Sequence, residues 1–161
     1  MKKALQRKRV FIDTNIFIYV AIKHPEFYKS SYGVLEMLVD GEFTGYGSKL
    51  ILFELFGALS RINPLAAYEA AHYYLNLPLR IIDLDRKSLE LARDIARGSG
   101  TTYDAVHAAM MMSNNITVIV TEDIQDWLKI QNTWSKVTRK HKLEISPLEV
   151  FVPSREFQRT R

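Results

Sequence analysis

The 161-residue chain has no cysteine. That excludes disulfides, thiolate metal sites and a cysteine nucleophile, and it fits a reducing compartment. No apolar run reaches the ~18 residues that a membrane-spanning helix requires. The N-terminus, "MKKALQRKRVFIDTN", carries the positive charge of a secretory signal. It lacks the long apolar stretch and the small-residue cleavage site that complete one. The expected location is cytoplasmic, with no membrane association. Internal repeats and low-complexity segments are lacking too.

What is present describes a soluble globular protein, with 47% hydrophobic and 25% charged residues. The length suits a single domain over residues 1–161, its core running from about 9 to 150 between basic extensions. Such a chain buries roughly two-thirds of its unfolded surface and needs no staples. The net charge is +4 and the sequence pI about 9.3. Lys2, Lys3, Arg7, Lys8 and Arg9 form one basic cluster, Arg139, Lys140, His141 and Lys142 a second, and Arg155, Arg159 and Arg161 a third. Such clusters attract phosphate backbones. The plainer alternative for each is a solvated, charged segment.

Strand and helix patterns alternate. Val10 to Ile12 reads as a short buried strand. Thr14 or Asn15 can cap the helix that follows, which Pro25 ends. Tyr28, Tyr32, Leu35 and Val39 keep helical spacing as far as Asp40-Gly41. Phe43 to Ser48 suits a strand, and Ser48 caps the apolar helix "KLILFELFGALSRI". Another helix starts with Pro64 in its first turn. "RIIDL", Arg80 to Leu84, reads as a strand. "RKSLELARDIAR" is an amphipathic helix ending at Gly98, and "TTYDAVHAAMMMSNN" a helix with a threonine cap. Ile116 to Thr121 is the clearest strand, and a last one is expected near Leu143 to Ile145. This alternation predicts an α/β fold with a parallel sheet covered on both faces. Ligands of such sheets bind beyond the carboxyl ends of the strands.

Four carboxylates occupy awkward places. Asp13 follows the first strand directly, and Asp123 follows the strand of Ile116 to Val120 after two residues. Both therefore belong at the carboxyl edge of the sheet, although a helix N-cap would also explain either. Glu54 lies in an apolar helix. At ~100° per residue it shares a face with Leu50, Ile51, Gly57 and Ala58. Arg61 lies two turns on, ~10 Å away, and is the candidate ion-pair partner. Asp104 opens an otherwise apolar helix, where the helix dipole alone would favour it. Together the four form a self-repelling set that a hard divalent cation, Mg²⁺ or Mn²⁺, would neutralise.

The ordered series "FIDTNIFIY", "SKLILFELFGAL", "TTYDAVHAAMM" and "ITVIVTEDIQDW" resembles the PIN-domain ribonucleases, and among them the toxins of VapBC-type toxin–antitoxin pairs. The resemblance spans about Arg9 to Val150, and "LEISPLEVF" resembles the last strand of the family. It implies a PIN-like three-layer α/β/α fold with a central parallel sheet of about five strands. It also implies metal-dependent cleavage of RNA, a homodimer and a small antitoxin partner. Carried over residue by residue, it makes Asp13, Glu54, Asp104 and Asp123 the metal-binding and catalytic carboxylates. Asn15 and Thr121 are orienting residues. Asp126 supports or replaces Asp123, and Glu122 is a further rival.

On this reading the metal, Mg²⁺ or Mn²⁺, lowers the pKa of a bound water that attacks the RNA phosphodiester. The basic clusters hold the RNA backbone around the acidic centre. His107 stacks on the Asp104 face of its helix, yet a packed helix residue is the expectation there. Tyr28, Tyr32, Tyr68, Tyr73, Tyr74 and His72 suit RNA stacking, core or partner surface, with packing and protein contact favoured. Two alternatives stay open. One is a PIN-like module that binds RNA or protein without cutting. The other is a phosphoryl-transfer domain with Asp13 as nucleophile, which would want an acidic residue where Asn15 stands.

Overall fold

A computed structural model describes residues 2–158. Five strands form one parallel sheet: β1 (Arg9–Ile12), β2 (Thr44–Ser48), β3 (Arg80–Ile82), β4 (Val118–Val120) and β5 (Glu149–Phe151). Their order is β3-β2-β1-β4-β5. Val10 pairs with Gly45 on one side and Val118 on the other. Val10, Phe11, Ile12, Ile119 and Val120 have no exposed surface, as expected for central strands covered on both faces.

The helices are α1 (Lys2–Leu5), α2 (Thr14–Ala21), α3 (Tyr28–Val39), α4 (Lys49–Ser60), α5 (Pro64–Asn76), α6 (Arg86–Ser99), α7 (Tyr103–Ser113), α8 (Ile124–Lys140) and α9 (Pro153–Gln158). Right-handed crossovers put the β1–β2–β3 connections on one face and those from β3 to β5 on the other. The contacts agree. Helix α2 packs on α3, α4 and α5, whereas α6, α7 and α8 pack on one another. The terminal helix α9 returns to α3. Strand β2 lies close beneath α3 and α5. A side chain at Gly45 would collide with Leu38, and one at Gly47 with the Tyr74 hydroxyl. That hydroxyl donates to the Ser48 carbonyl (3.0 Å) and accepts from the Ser48 amide (2.9 Å). Tyr74 is thus a core residue, while Tyr68 and Tyr73 on the same helix are exposed.

Several local expectations shift. Asp13, not Thr14 or Asn15, caps α2. Gly98 does not end α6; it sits where a side chain would strike Thr133, and the cap is Gly100 with φ +73°. Thr102 precedes α7 without a capping bond from its side chain. The longest helix, α8, answers only to the N-cap alternative for Asp123, which does cap it, although Trp127, Ile130, Trp134 and Val137 on its buried face keep helical spacing.

The last strand is Glu149–Phe151, not Leu143 to Ile145. Leu143 and Ile145 alternate because they pack on the core, not because they join a ladder. Their segment is tied to α8 instead, by the Trp134 indole donating to the Ser146 carbonyl (3.1 Å) and Gln131 to that of Leu148 (2.6 Å). Strand pairing resumes only after Pro147, which has no amide to donate.

The basic clusters are partly consumed by structure. Lys8 pairs with Glu149, and the Arg9 guanidinium donates to the carbonyls of Asn114 and Asn115 at the end of α7. Lys140 and His141 both bind Asp94. Arg159 and Arg161 lie outside the described residues. Among the described residues, no helix is long and apolar enough to cross a membrane.

Candidate metal centre

The strand order reverses between β1 and β4, so the chain leaves these neighbours in opposite directions and opens a crevice at their carboxyl ends. Asp13 stands on one side of it and Thr121 to Asp123 on the other. Asp13 is 4% exposed. Its carboxylate accepts four hydrogen bonds: the Thr14 amide on Oδ1 (2.7 Å), and Asn15 Nδ2 (2.9 Å), Thr121 Oγ1 (2.7 Å) and Trp127 Nε1 (3.1 Å) on Oδ2. Burial nonetheless pushes its pKa up, against the charge of His107 and the bonds from Thr121, Thr14 and Trp127. Asn15 Nδ2 and the Asp123 amide each donate to Thr121 Oγ1 at 2.9 Å. The "DTN" and "TED" turns are therefore one hydrogen-bonded unit.

Asp104 lies in the first turn of α7, Asp123 caps α8 and Asp126 lies in the first turn of α8. Both helix N-termini favour negative charge there. These three aspartates each offer a carboxylate oxygen, and the three oxygens lie within 4.8 Å of one another. Asp104 is pushed up to about 7, first by burial and then by the charges of Asp13, Asp123 and Asp126, which His107 offsets in part. Asp126 thus stands beside Asp123, and Lys129 bridges to it at 2.6 Å.

Glu122 faces away from the three. Its carboxylate accepts from Ser30 Oγ (3.2 Å), the Ser154 amide (2.9 Å) and Ser154 Oγ (2.7 Å). It ties α9 to α3.

Glu54 also stands apart from the three-aspartate group, and its partner is not Arg61. Its Oε2 accepts from Thr14 Oγ1 (2.5 Å) and His107 Nε2 (3.0 Å). Burial raises its pKa, but the bond and charge of His107, with the Thr14 bond, outweigh that and leave it below the usual range. Burial likewise works against a charged His107, and Glu54, Asp13 and Asp104 together reverse it, so its pKa rises. Helix α4 is apolar without being enclosed: Phe53 is 76% exposed. Glu54 sits at the margin of its buried face, which helical periodicity alone did not distinguish from the core.

A hard divalent cation fits this donor set. The ligand atoms are all carboxylate oxygens, three of them are close enough to share one ion, and their mutual repulsion is already expressed in Asp104. Asp13 keeps room on Oδ1, whereas its Oδ2 is fully engaged.

A family model described as the PIN domain matches residues 10–131. The chain belongs to the PIN domain family. No curated protein matches it, but solved structures do. VapBC2 from Rickettsia felis, bound to a DNA fragment from its promoter, aligns at 22% identity over 89% of this chain and 98% of that one, with a TM-score of 0.63. DNA-bound VapBC from Salmonella typhimurium aligns at 16% over 90% and 98%, TM-score 0.60. The sarcin-ricin loop cleaving toxin VapC20 of Mycobacterium tuberculosis aligns at 19% over 74% and 93%, TM-score 0.61. At these identities the likeness is one of fold, and it makes this PIN domain similar in architecture to VapC toxins.

Of two further residues at this PIN domain's acidic centre, sequence reasoning assigned no role to Trp127 and set His107 down as packing. Trp127 reads as a core aromatic, and nothing local shows that its indole N–H meets Asp13 across the sheet. His107 sits one turn from Asp104, the only available signal, but its partner Glu54 is more than fifty positions away.

Proposed function

We propose that this PIN domain is a metal-dependent endoribonuclease and the toxin of a toxin–antitoxin pair. The observation that carries the reading is the crowding of Asp104, Asp123 and Asp126 beside the buried Asp13 at the strand-order reversal. Such a set is costly unless a cation is bound. Asp13 through Oδ1, Asp104, Asp123 and Asp126 would hold Mg²⁺ or Mn²⁺, with Glu54 at the margin. The bound ion would supply a water of lowered pKa and polarise the scissile phosphate. Asn15, Thr121 and Trp127 hold Asp13 in one orientation, and the bonded turns keep Asp123 in register with it. The site uses no histidine or cysteine nucleophile.

The same reading covers the partners. Phe53, Ile62, Leu65 and Tyr68 expose apolar surface on α4, α5 and the turn between them, which supports a homodimer. A groove between α2, α3 and α5, floored by Phe17, Val20, Leu35 and Ala70 and edged by Glu69, continues past Tyr73 to Glu36 and Asp40. Its chemistry suits an amphipathic, basic segment of a small antitoxin.

The test is incubation with a mixed RNA pool in Mg²⁺, Mn²⁺ or EDTA, alongside Asp104→Asn. Cleavage that requires metal and is lost in the variant is expected. Equal cutting by both proteins would mark a contaminant. No cutting by either would leave a PIN domain that binds without hydrolysis.

A further inference from the structure

Glu54 is held at its Oε2 from two sides. Thr14 on α2 and His107 on α7 both donate to that one oxygen. Two donors occupy its lone pairs, so Oε1 is the oxygen left for a metal, a water or a phosphate. His107 is 1% exposed and belongs to a helix face otherwise made of alanine and methionine. Packing alone would be better served by another methionine. Its Nδ1 is buried without a hydrogen-bond partner among the described residues. An orphan of this kind destabilises the fold and calls for a compensating role. The Phe11 ring, 5.5 Å from the imidazole, packs against it from β1. Asp104 lies one turn before His107, so a single turn of α7 presents one carboxylate and steers another.

We propose that His107 is a positioning residue: with Thr14 it clamps Glu54 in the orientation that turns Oε1 toward the acidic centre. The role in cleavage rests on the nuclease reading; the role in metal binding does not.

Three variants separate positioning from packing. His107→Gln keeps an N–H donor, His107→Phe keeps a ring against Phe11, and Glu54→Gln removes the clamped charge. Mn²⁺ affinity is measured by titration calorimetry on the metal-free protein, and kcat and KM on an RNA that the wild type cuts. His107→Phe is expected to weaken Mn²⁺ binding about 10-fold and lower kcat about 10- to 100-fold with little change in KM, the usual range for residues that orient ligands. His107→Gln should recover most of both. Adding His107→Phe to Glu54→Gln should change neither further; should His107→Phe fail to fold, Thr14→Val, which deletes the other donor to the same oxygen, takes its place in both comparisons. Equal Mn²⁺ affinity in wild type, His107→Gln and His107→Phe overturns the proposal, as does a further tenfold loss in the double variant. Should the wild type bind Mn²⁺ but cut no RNA, the nuclease reading falls while the titrations still decide the clamp.

Discussion

Asp94 and Asp104 stand ten positions apart, the first buried and the second half-buried, and their surroundings act on them in opposite directions. Asp94, on the buried side of α6, accepts from Lys140 (2.7 Å), His141 (2.8 Å) and Arg93 (3.2 Å), which hold its carboxyl well below the usual range. Asp104 meets burial and three further aspartates, and its carboxyl rises to about 7. The first is an anchor between α6 and the end of α8, complete within the chain. The second is a crowd of acids whose donor set suits a cation. For Asp104 burial is the largest cause and its acidic neighbours add to it; for Asp94 the bonds from Lys140, His141 and Arg93 outweigh burial, and that difference separates a structural acid from a candidate site.

The largest way to break this contrast is Asp104→Asn. Mn²⁺ affinity should fall at least about 100-fold, more than loss of a residue that only orients a ligand would cause. The metal-free variant should nonetheless be more stable than wild type at pH 7 by on the order of 1–2 kcal/mol, the shift being discounted because water still reaches the group. Calorimetry and thermal melts read the two effects. A variant that loses stability would mean that Asp104 is paired, as Asp94 is.

Asp94→Asn should do the reverse. It removes charge-assisted bonds whose Lys140 and Arg93 partners are mostly exposed, so a loss of about 1–2 kcal/mol is expected at pH 7. Mn²⁺ affinity should be unchanged. A chemical denaturation curve checks the first statement and a titration the second.

The smallest effect is a difference in slope. A carboxyl raised in the fold stabilises it below the unfolded pKa, and that contribution is lost as pH rises through the folded value. For Asp104 the window runs from about 4 to about 7. The melting temperature of the metal-free wild type, relative to Asp104→Asn, should therefore decline across it, and saturating Mg²⁺ should remove the decline. Asp94 is depressed, so its contribution is present above about 4 and disappears only as pH falls below that. Melts of Asp94→Asn should converge with wild type in acid. A flat difference between wild type and Asp104→Asn from pH 4 to 7 would erase the contrast.

Much of the scaffold was legible because the signals are local. "VFID" is a buried strand meeting a carboxylate, Ser48 caps α4 through its hydroxyl to the Ile51 amide, and Asn63-Pro64 opens α5. Where the reading erred, a local pattern had a distant cause. Leu143 and Ile145 alternate like a strand because they face the core beside α8. Gly98 resembles a helix end because Thr133, far along the chain, leaves no room for a side chain. Helix α8 is harder to see because mostly polar residues separate its buried positions Trp127, Ile130, Trp134 and Val137, although these keep the helical period.

The sequence by itself determined the alternation of strands and helices and the presence of carboxylates at the ends of β1 and β4. Both follow from hydrophobic period and from residues adjacent in the chain. Only the tertiary structure decided how the acids divide. Asp126 stands with Asp104 and Asp123, Glu122 is spent on Ser30 and Ser154, Glu54 is given to His107 and Thr14, and Asp94 is neutralised by the end of α8. The physical reason is common to all four. A carboxylate's role is set by the charges and donors within a few ångströms of it, and here most of those arrive from segments tens of residues away.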